Sequence, residues 1–261
     1  MLVRAAAKFN LFLSILGHTE DGLHELETIL VRYPELYDEL TFSPAKHLSL
    51  TCEGTVIVPG HHQQANTAEE NLILKAVRAL EHHTGRHFSY EIKLIKNIPV
   101  EAGLGGGSSD AATTLLALNE LEQLNVSRTE LMNLGTKIGM DIPFFISNEP
   151  VALGTHYGEK ITALPKLPEG IQIKLDSTTA FKPQSTQKAF QAWDQAGHKT
   201  SAQDKLSKLI TALKNQDPAE ILRNLHNDFE QLFPAAFPPS QDPQTRRLLA
   251  GSGGAIVQIS C

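Results

Sequence analysis

A glycine-rich stretch follows a predicted strand and opens a predicted helix, with residues 98–109 reading IPVEAGLGGGSS. Because glycine lacks a Cβ, several backbone N–H groups can converge there on one anion. The start of a helix adds N–H groups without partners and the positive end of the helix dipole. The hydroxyls of Ser108 and Ser109 can reach a phosphate oxygen or a magnesium ion. The stretch therefore predicts a site for a phosphate-bearing ligand.

Two familiar nucleotide-binding motifs do not fit this stretch. A P-loop requires Gly-x-x-x-x-Gly-Lys-Ser/Thr, and no lysine lies within the loop. A dinucleotide fingerprint requires Gly-x-Gly-x-x-Gly, whereas Ser108 stands where the third glycine belongs. A flexible turn between a strand and a helix would need only one or two glycines, which does not explain the four that cluster at Gly103, Gly105, Gly106 and Gly107.

Further polar groups lie in apolar surroundings elsewhere in the chain. In residues 8–16, KFNLFLSIL, strand alternation places Lys8 and Asn10 on one face, while the other face is apolar and belongs to the core. Asp141 precedes Pro143 in GMDIPFF, which suits a helix N-cap. The same carboxylate could act as a general base, and the two roles are compatible.

The hydrophobic pattern predicts the elements that position these groups. Strands are predicted at 8–16, 26–33, 39–43, 47–52, 55–58, 88–95, 151–153 and 171–175, with a last strand after the glycines of GSGGAIVQISC. Helices are predicted at 69–84, 108–123, 128–138, 204–215 and 218–232, and residues 181–204 are predicted to be partly loop. Strands that look antiparallel, followed by helices, indicate an α+β protein with a domain boundary near residues 150–165.

The composition limits the classes of partner. A chain of 261 residues with 41% hydrophobic content can bury one large core or two small ones. The net charge of −6 argues against nucleic acid and anionic membranes as partners. No apolar run approaches the roughly 18 residues of a membrane span. Two cysteines are too few for a disulfide framework or a zinc site, so a cytoplasmic location is expected.

Three stretches, in the same order along the chain, resemble the GHMP kinases. They are residues 5–30, AAAKFNLFLSILGHTEDGLHELETIL, residues 98–113, IPVEAGLGGGSSDAAT, and residues 134–146, LGTKIGMDIPFFI. They are most similar to the branch that uses Mg²⁺ and ATP to phosphorylate the 2-hydroxyl of a cytidine-diphosphate polyol for isoprenoid biosynthesis. The resemblance implies a two-domain α+β GHMP kinase fold. A ribosomal S5 domain 2-like domain at 1–155 would bind ATP, and a shortened ferredoxin-like domain would occupy 156–261.

The resemblance also implies roles for individual residues. Asp141 matches the catalytic aspartate that accepts the proton of the attacking hydroxyl, and Lys8 matches the lysine paired with it. Asp110 is expected in the first turn of the helix, where it would cap free N–H groups or contact the residues that line the site. A base role is not expected, because many relatives have Asn there. The expected ATP-binding residues are Asn71, Leu72, Lys96, Gly103, Leu104, Gly105, Gly106, Gly107, Ser108 and Ser109. The metal ligands stay unassigned.

On the substrate side, the resemblance points to Asn10, His24, Thr186 and Phe190. Asn10 would bind the polyol or phosphate end, His24 would read the cytosine ring, and Phe190 would stack on it. Leu23 stands where the family has an aromatic residue, and His156 stands where the family has glycine. These departures, with the shorter C-terminal part, leave two alternatives: a homoserine- or mevalonate-type GHMP kinase, or a nucleotide-binding relative without turnover. A monomer and a homodimer are both compatible with the sequence.

Overall fold

The computed structural model describes residues 1–54, 71–176, 186–200, 202, 204–238 and 242–261. The chain divides into two compact units, each assembled from separated segments. The first unit comprises Met1–Ala7, Arg32–Val100 and Gly105–Asn148, and the second comprises Lys8–Val31, Glu101–Leu104 and Glu149–Cys261. Strands and helices occur in both units, which confirms the α+β class. The expected domain boundary between residues 155 and 156 stays a prediction.

The strands and helices have the following bounds. The strands are β1 (Leu2–His18), β2 (His24–Pro44), β3 (Ser49–Gly54), β4 (Tyr90–Lys96), β5 (Val151–His156), β6 (Lys160–Ala163), β7 (Gln172–Asp176), β8 (His226–Asn227), β9 (Thr245–Leu249) and β10 (Ile256–Ser260). The α-helices are α1 (Leu72–Thr84), α2 (Gly106–Leu121), α3 (Arg128–Thr136), α4 (Ile142–Ser147), α5 (Thr186–Ala196), α6 (Lys205–Asn215) and α7 (Pro218–Asn224). Two short 3₁₀ helices cover Asp228–Leu232 and Pro234–Ala236.

In the first unit, the later part of β2 pairs antiparallel with β4, and β4 pairs in parallel with β3. The side chains of Phe42 and Ile92 from these strands are fully buried, as are Leu80 of α1 and Leu115 of α2. Burial of this apolar surface supplies the main driving force for folding. The core therefore lies between the sheet and the helices that carry the glycine-rich stretch and Asp141.

In the second unit, the early part of β2 pairs antiparallel with β5, and β5 pairs antiparallel with β6. Strand β1 pairs in parallel with β8, where Phe12 lies opposite His226. Strand β10 is the middle strand of a separate three-stranded antiparallel sheet in the order β7-β10-β9. A core cluster joins Leu13 and Ile15 of β1 to Trp193 of α5 and Phe229.

Several predicted elements differ from the structure for identifiable reasons. The strands expected at 26–33 and 39–43 are parts of the single strand β2. Pro34 falls between the stretch paired with β5 and the stretch paired with β4, where a missing N–H breaks neither set of hydrogen bonds. The strand expected at 55–58 and the first two residues of the helix expected at 69–84 lie outside the described residues.

The C-terminal half differs more. The helix expected at 218–232 ends at Asn224, because the side chain of Asn227 accepts a hydrogen bond from Phe229 N and Asp228 Oδ2 accepts one from Ile15 N. Much of the segment expected to be partly loop forms α5, whose Ala189 and Trp193 are one turn apart and buried. Strands β6 and β9 were not predicted. Among the described residues, none of the helices combines the length and apolarity needed to cross a membrane.

Candidate active site

The glycine-rich stretch leads directly into α2. Gly105 is the N-cap residue and has a φ of 70°, a left-handed conformation that favours glycine. The helix begins at Gly106, two residues before the predicted start, so Ser108 and Ser109 lie in its first turn. Ser109 is buried, whereas Ser108 is half-buried and its Oγ would lie 3.7 Å from a Cβ placed on Gly139. The Ser108 hydroxyl therefore faces the turn that precedes Asp141, within the first unit.

Part of the glycine content serves close backbone packing. A Cβ on Gly103 would lie 2.7 Å from the backbone nitrogen of Gly253, and a Cβ on Gly253 would overlap the backbone of Ala102 and Gly103. Ala255 N donates a hydrogen bond to Ala102 O over 3.1 Å. The C-terminal GSGG turn and residues 101–104 therefore need glycine for mutual contact in the second unit. The role of Gly103 in phosphate binding stays a prediction.

Lys8 is held next to this stretch by its backbone and by its side chain. Its N–H donates to the carbonyl of Leu104 over 2.9 Å, and its Nζ donates to Asn10 Oδ1 over 2.8 Å. Asn10 Nδ2 donates to Thr28 Oγ1 over 2.6 Å, and Thr28 Oγ1 donates to the carbonyl of Phe12 over 2.7 Å. All three polar side chains are buried. The chain of hydrogen bonds fixes which end of the Asn10 amide faces Lys8.

The side chain of Thr28 is itself confined by glycine. A Cβ on Gly154 would lie 3.1 Å from Thr28 Cγ2 and 2.7 Å from the carbonyl of Gly158. Close by, His156 adopts a φ of 66°, so the glycine that the family has there suits a left-handed backbone conformation. His156 Nδ1 lies 2.7 Å from Glu159 Oε1, a contact that helps hold this conformation.

A second buried cluster lies in the first unit, at the end of β4. Lys96 Nζ donates to Asp38 Oδ2 over 2.5 Å and to Asp110 Oδ2 over 2.8 Å. Asp38 Oδ1 accepts from the backbone N–H groups of Asn97 and Ile98 over 2.6 and 2.8 Å. Lys96 Nζ would also lie 2.9 Å from a Cβ on Gly106. The cluster therefore joins the end of β4 to the first two turns of α2.

The charges in this cluster shift one another's protonation. Burial raises the pKa of Asp110 to about 7, an effect that the Lys96 ammonium opposes and the Asp38 carboxylate reinforces. Burial by itself would lower the pKa of Lys96, but the two carboxylates outweigh it and raise that pKa. Asp110 Oδ1 is buried and has no hydrogen-bond partner among the described residues. An unpaired buried carboxylate oxygen favours the protonated form.

These contacts correct the capping role expected for Asp110. Because α2 begins at Gly106, Asp110 lies beyond the first turn and its side chain holds Lys96 instead of capping the helix. Lys96 was expected to line the nucleotide site, and contact between its side chain and ATP stays a prediction. Asn71 caps α1 by accepting from Ile73 N over 2.9 Å. Leu72 lies against the start of α2, 3.4 Å from a Cβ on Gly107.

Asp141 occupies the N-cap position of α4, with Pro143 in the first turn. Its carboxylate accepts no capping hydrogen bond from α4, all of whose residues the structure describes. Asp141 therefore occupies the expected N-cap position, but its side chain does not cap the helix. Asp141 belongs to the first unit and Lys8 to the second. Their expected pairing stays a prediction.

The residues expected on the substrate side lie in the second unit. The rings of His24 and Phe190 stack with centroids 4.3 Å apart and an interplanar angle of 26°. His24 Nε2 lies 2.9 Å from Asp194 Oδ1. Leu23, which replaces the expected aromatic residue, is 45% exposed. Thr186 Oγ1 lies 2.9 Å from the hydroxyl of Ser252, so α5 begins next to the GSGG turn.

Sequence reasoning missed several residues that organise these clusters. The sequence did not single out Thr28, Asp38, Asp194 or Asn227. Asn227 Nδ2 donates to the carbonyls of Leu249 and Gly251, both over 2.9 Å, which fixes the start of the GSGG turn. A signal existed for Thr28, since strand alternation in LETIL places it on the same face as the apolar Leu26 and Leu30. The contacts of Asp38 and Asp194 are long-range and leave no local pattern.

Comparison with known proteins identifies the relatives of this chain. Residues 71–149 match the family described as the GHMP kinases N terminal domain. The chain is 35% identical over 230 residues to the 4-diphosphocytidyl-2-C-methyl-D-erythritol kinase of Caldanaerobacter subterraneus subsp. tengcongensis, which covers 88% of this chain and 75% of that protein. It is also 35% identical over 260 residues to the protein of the same name from Gloeobacter violaceus, covering 99% and 82%.

Solved structures show the same fold. The crystal structure of a 4-(cytidine 5'-diphospho)-2C-methyl-D-erythritol kinase superposes with a TM-score of 0.69 at 28% identity, covering 99% of this chain and 90% of that one. Streptococcus pneumoniae phosphomevalonate kinase, solved with phosphomevalonate and AMPPNP, superposes with a TM-score of 0.71 at 15% identity, covering 100% and 92%. The second match bears on the fold alone. The expected GHMP kinase fold is confirmed.

Proposed function

The chain belongs to the 4-diphosphocytidyl-2-C-methyl-D-erythritol kinase family of the GHMP kinases, and on that premise we propose that it transfers the γ-phosphoryl group of ATP to its substrate's 2-hydroxyl. The substrate would be 4-diphosphocytidyl-2-C-methyl-D-erythritol, and the product would serve isoprenoid biosynthesis. A cytoplasmic location and a monomeric or dimeric state remain predictions.

The observation that carries this proposal is the position of Lys8. Its ammonium is buried, oriented by Asn10, and its backbone is bonded to Leu104 within the glycine-rich stretch. A fixed ammonium can stabilise the charge that moves between oxygens during phosphoryl transfer. Positioning and charge stabilisation supply most of the catalysis in this class of reaction.

The ATP phosphates are proposed to bind at the start of α2. The first-turn N–H groups from Gly106 to Ser108 have no partners one turn earlier in the helix, and the helix dipole favours an anion there. The hydroxyl of Ser108 is accessible enough to donate to a phosphate oxygen. Mg²⁺ would neutralise phosphate charge, and it prefers oxygen ligands from phosphates and water. These donors fit a magnesium-bound nucleotide.

Asp141 is the proposed general base. In the proposed step, the substrate hydroxyl oxygen forms a bond to the γ-phosphorus while the bond from that phosphorus to the ADP oxygen breaks. The hydroxyl proton passes to the Asp141 carboxylate. The Asp141 side chain does not cap α4, so the proposed catalytic role does not require it to give up a capping bond.

The cytidine end is proposed to bind at His24 and Phe190. An imidazole can form a hydrogen bond with the edge of cytosine, and a phenyl ring can stack on its face. In the structure the Phe190 ring lies on the face of the His24 imidazole, so cytosine would stack on Phe190 in place of that contact. Asn10 and Thr186 are proposed to contact the remainder of the substrate, the first next to Lys8 and the second next to Ser252.

The experiment that tests this proposal measures ADP release with Mg²⁺ and ATP. Release that requires 4-diphosphocytidyl-2-C-methyl-D-erythritol supports the proposed activity. Equal or faster release with homoserine or mevalonate would assign a different substrate. ATP binding without release in the presence of any of the three would identify a nucleotide-binding protein without turnover. Lys8→Met provides a variant of similar length in which release should fall to background.

A further inference from the structure

A pair of histidines and a carboxylate converge at the turn between β1 and β2. We propose that His18, His24 and Asp194 form a binding site for Zn²⁺ or a similar transition-metal cation. Asp194 Oδ1 lies 2.9 Å from His24 Nε2 and 3.5 Å from His18 Nε2. The three ligand atoms all lie within 4.8 Å of one another. Two imidazole nitrogens and one carboxylate oxygen are a common ligand set for zinc.

The distances require little adjustment for a metal to enter. Zn–N and Zn–O bonds of about 2.0–2.2 Å at tetrahedral angles place neighbouring ligand atoms about 3.3 Å apart. The distances from Asp194 Oδ1 to the two imidazole nitrogens lie on either side of that value. A bound cation would replace the hydrogen between His24 and Asp194, and the ring proton of His24 would then be carried by Nδ1.

The backbone holds the two histidines side by side before any metal binds. Thr19 N donates to Leu23 O over 2.8 Å, and Gly22 N donates to Thr19 O over 2.9 Å, which closes the turn between the histidines. The hydroxyl of Tyr157, the residue after β5, donates to Asp21 Oδ2 over 2.6 Å and so helps to fix the same turn. The rings of His18 and His24 lie 4.2 Å apart as a result. Pre-organisation of this kind reduces the entropy lost on binding.

The ligand chemistry separates this site from the magnesium that accompanies ATP. Mg²⁺ prefers oxygen ligands in octahedral geometry, whereas imidazole suits zinc, cobalt, nickel and copper. The side chains of His18 and Asp194 are 50% and 39% exposed, so a cation can reach the site and keep water as a further ligand. Millimolar Mg²⁺ should therefore leave the site to a transition metal.

Occupancy of the site has a consequence that rests on the proposed function. His24 is the proposed reader of cytosine, and its ring stacks on Phe190, one helical turn before Asp194 in α5. A cation that joins His24 to Asp194 would hold α5 against the β1–β2 turn and keep Phe190 on His24. Zinc and the cytidine end of the substrate should therefore exclude each other, whereas ATP binding should be unaffected.

Direct binding tests the site without any use of kinase activity. Zn²⁺ is titrated into the full chain by calorimetry, and Co²⁺ is titrated while the visible absorption of a tetrahedral or five-coordinate cobalt site is followed. His18→Asn and Asp194→Asn should each weaken the tightest site by roughly tenfold or more, because even outer-shell partners contribute this much. His47→Asn, the same change at an exposed histidine of the first unit, should leave that affinity unchanged.

Equal zinc affinity in wild type, His18→Asn and Asp194→Asn would overturn the proposal. Equal weakening by His47→Asn would overturn it as well, since a distant histidine would then account for binding. Displacement of zinc by cytidine diphosphate, and not by Mg²⁺-ATP, is expected and supports mutual exclusion. Zinc binding that depends on His18 but is insensitive to cytidine diphosphate would retain the metal site and count against the proposed base-binding role of His24.

Discussion

Lys8 Nζ and Asn10 Oδ1 lie 2.8 Å apart on the same face of β1, and both side chains are buried. A neutral amide orients an ammonium without cancelling its charge, unlike a carboxylate at the same distance. In the first unit, Lys96 donates to two carboxylates, those of Asp38 and Asp110. The contact with Asn10 therefore orients the Lys8 ammonium for its proposed role in phosphoryl transfer, and the contacts of Lys96 join α2 to the end of β4.

Replacing Thr28 with valine should reduce turnover with little change in the KM for ATP. Valine keeps the shape of threonine but removes the hydroxyl that accepts from Asn10, so the Asn10 amide loses the bond that fixes its orientation toward Lys8. A buried donor without a partner costs about 1–3 kcal/mol, and misorientation of Lys8 should lower kcat by about tenfold or more. Steady-state kinetics and thermal unfolding measure the two effects.

Thr28→Ser is the matched variant for that experiment, because it keeps the hydroxyl and loses only the methyl group next to Gly154. Its kcat should stay within about threefold of wild type, a difference of less than 1 kcal/mol in activation free energy. If serine and valine lower kcat equally, packing of the methyl group and not the hydrogen bond is the important feature.

Asp141→Asn should abolish turnover and leave the fold intact. The substitution removes the proposed proton acceptor, and asparagine keeps the size and polar character of the side chain without disturbing a capping bond. The free energy of unfolding should change by no more than about 1 kcal/mol. ADP release and thermal unfolding are measured on the same preparation. Substantial remaining turnover would exclude Asp141 as the base.

Gly103→Ala should destabilise the protein more than Gly22→Ala. Both glycines have a φ of about 80°, so alanine is strained at either position, by about 1 kcal/mol. A Cβ on Gly22 meets nothing within 4 Å, whereas one on Gly103 lies 2.7 Å from the backbone of Gly253. Overpacking should add about 1–3 kcal/mol at Gly103. Chemical denaturation of the two variants compares them directly, and equal losses would show that the backbone contact contributes nothing.

Asp110→Asn should change how stability depends on pH. The pKa of Asp110 is raised in the folded protein to about 7, mainly by burial, above the ordinary value near 3.8 that applies when the chain is unfolded. Between these two values the unfolded chain releases a proton that the folded protein retains, so this group lowers stability as pH rises from about 4 to about 7. The asparagine variant has no carboxyl proton to release at this position, so it does not show this pH dependence.

The stability of the variant relative to wild type should therefore increase over that pH interval and level off above it. Urea unfolding at several pH values provides the measurement, with Asp217→Asn in α7's N-cap as a carboxylate variant outside the cluster. A constant difference between wild type and Asp110→Asn from pH 4 to pH 8 would contradict the raised pKa.

Residues with a local pattern could be predicted from the sequence, and residues with only distant partners could not. Alternation identified the strand that carries Lys8 and Asn10, and the glycine run identified the start of α2 to within two residues. Gly85 directly follows the helix predicted at 69–84, and it ends α1 with a φ of 69°. In each case the signal lies within one turn of helix or a few residues of strand.

The partners of those residues were beyond such reasoning. Thr28 accepts a hydrogen bond from Asn10 on the neighbouring strand. Asp38 accepts one from Lys96, which lies far away in the sequence. The helix predicted at 218–232 ends early for the same reason. Asp228 accepts a hydrogen bond from the backbone of β1, and a continued helix would break this bond. Helix propensity is a weak prior, and tertiary contacts override it.

The contact between Asn10 and the residues before the GSGG turn bears on how the protein is made. Asn10 N donates to the carbonyl of Ala250 over 2.8 Å, and Ala250 follows β9, which pairs with the middle strand β10. During synthesis, Lys8 and Asn10 leave the ribosome long before Ala250 and β9. The surroundings of the Lys8 strand can be completed only after this long intervening stretch has emerged, so contacts of such sequence separation favour slow, late folding.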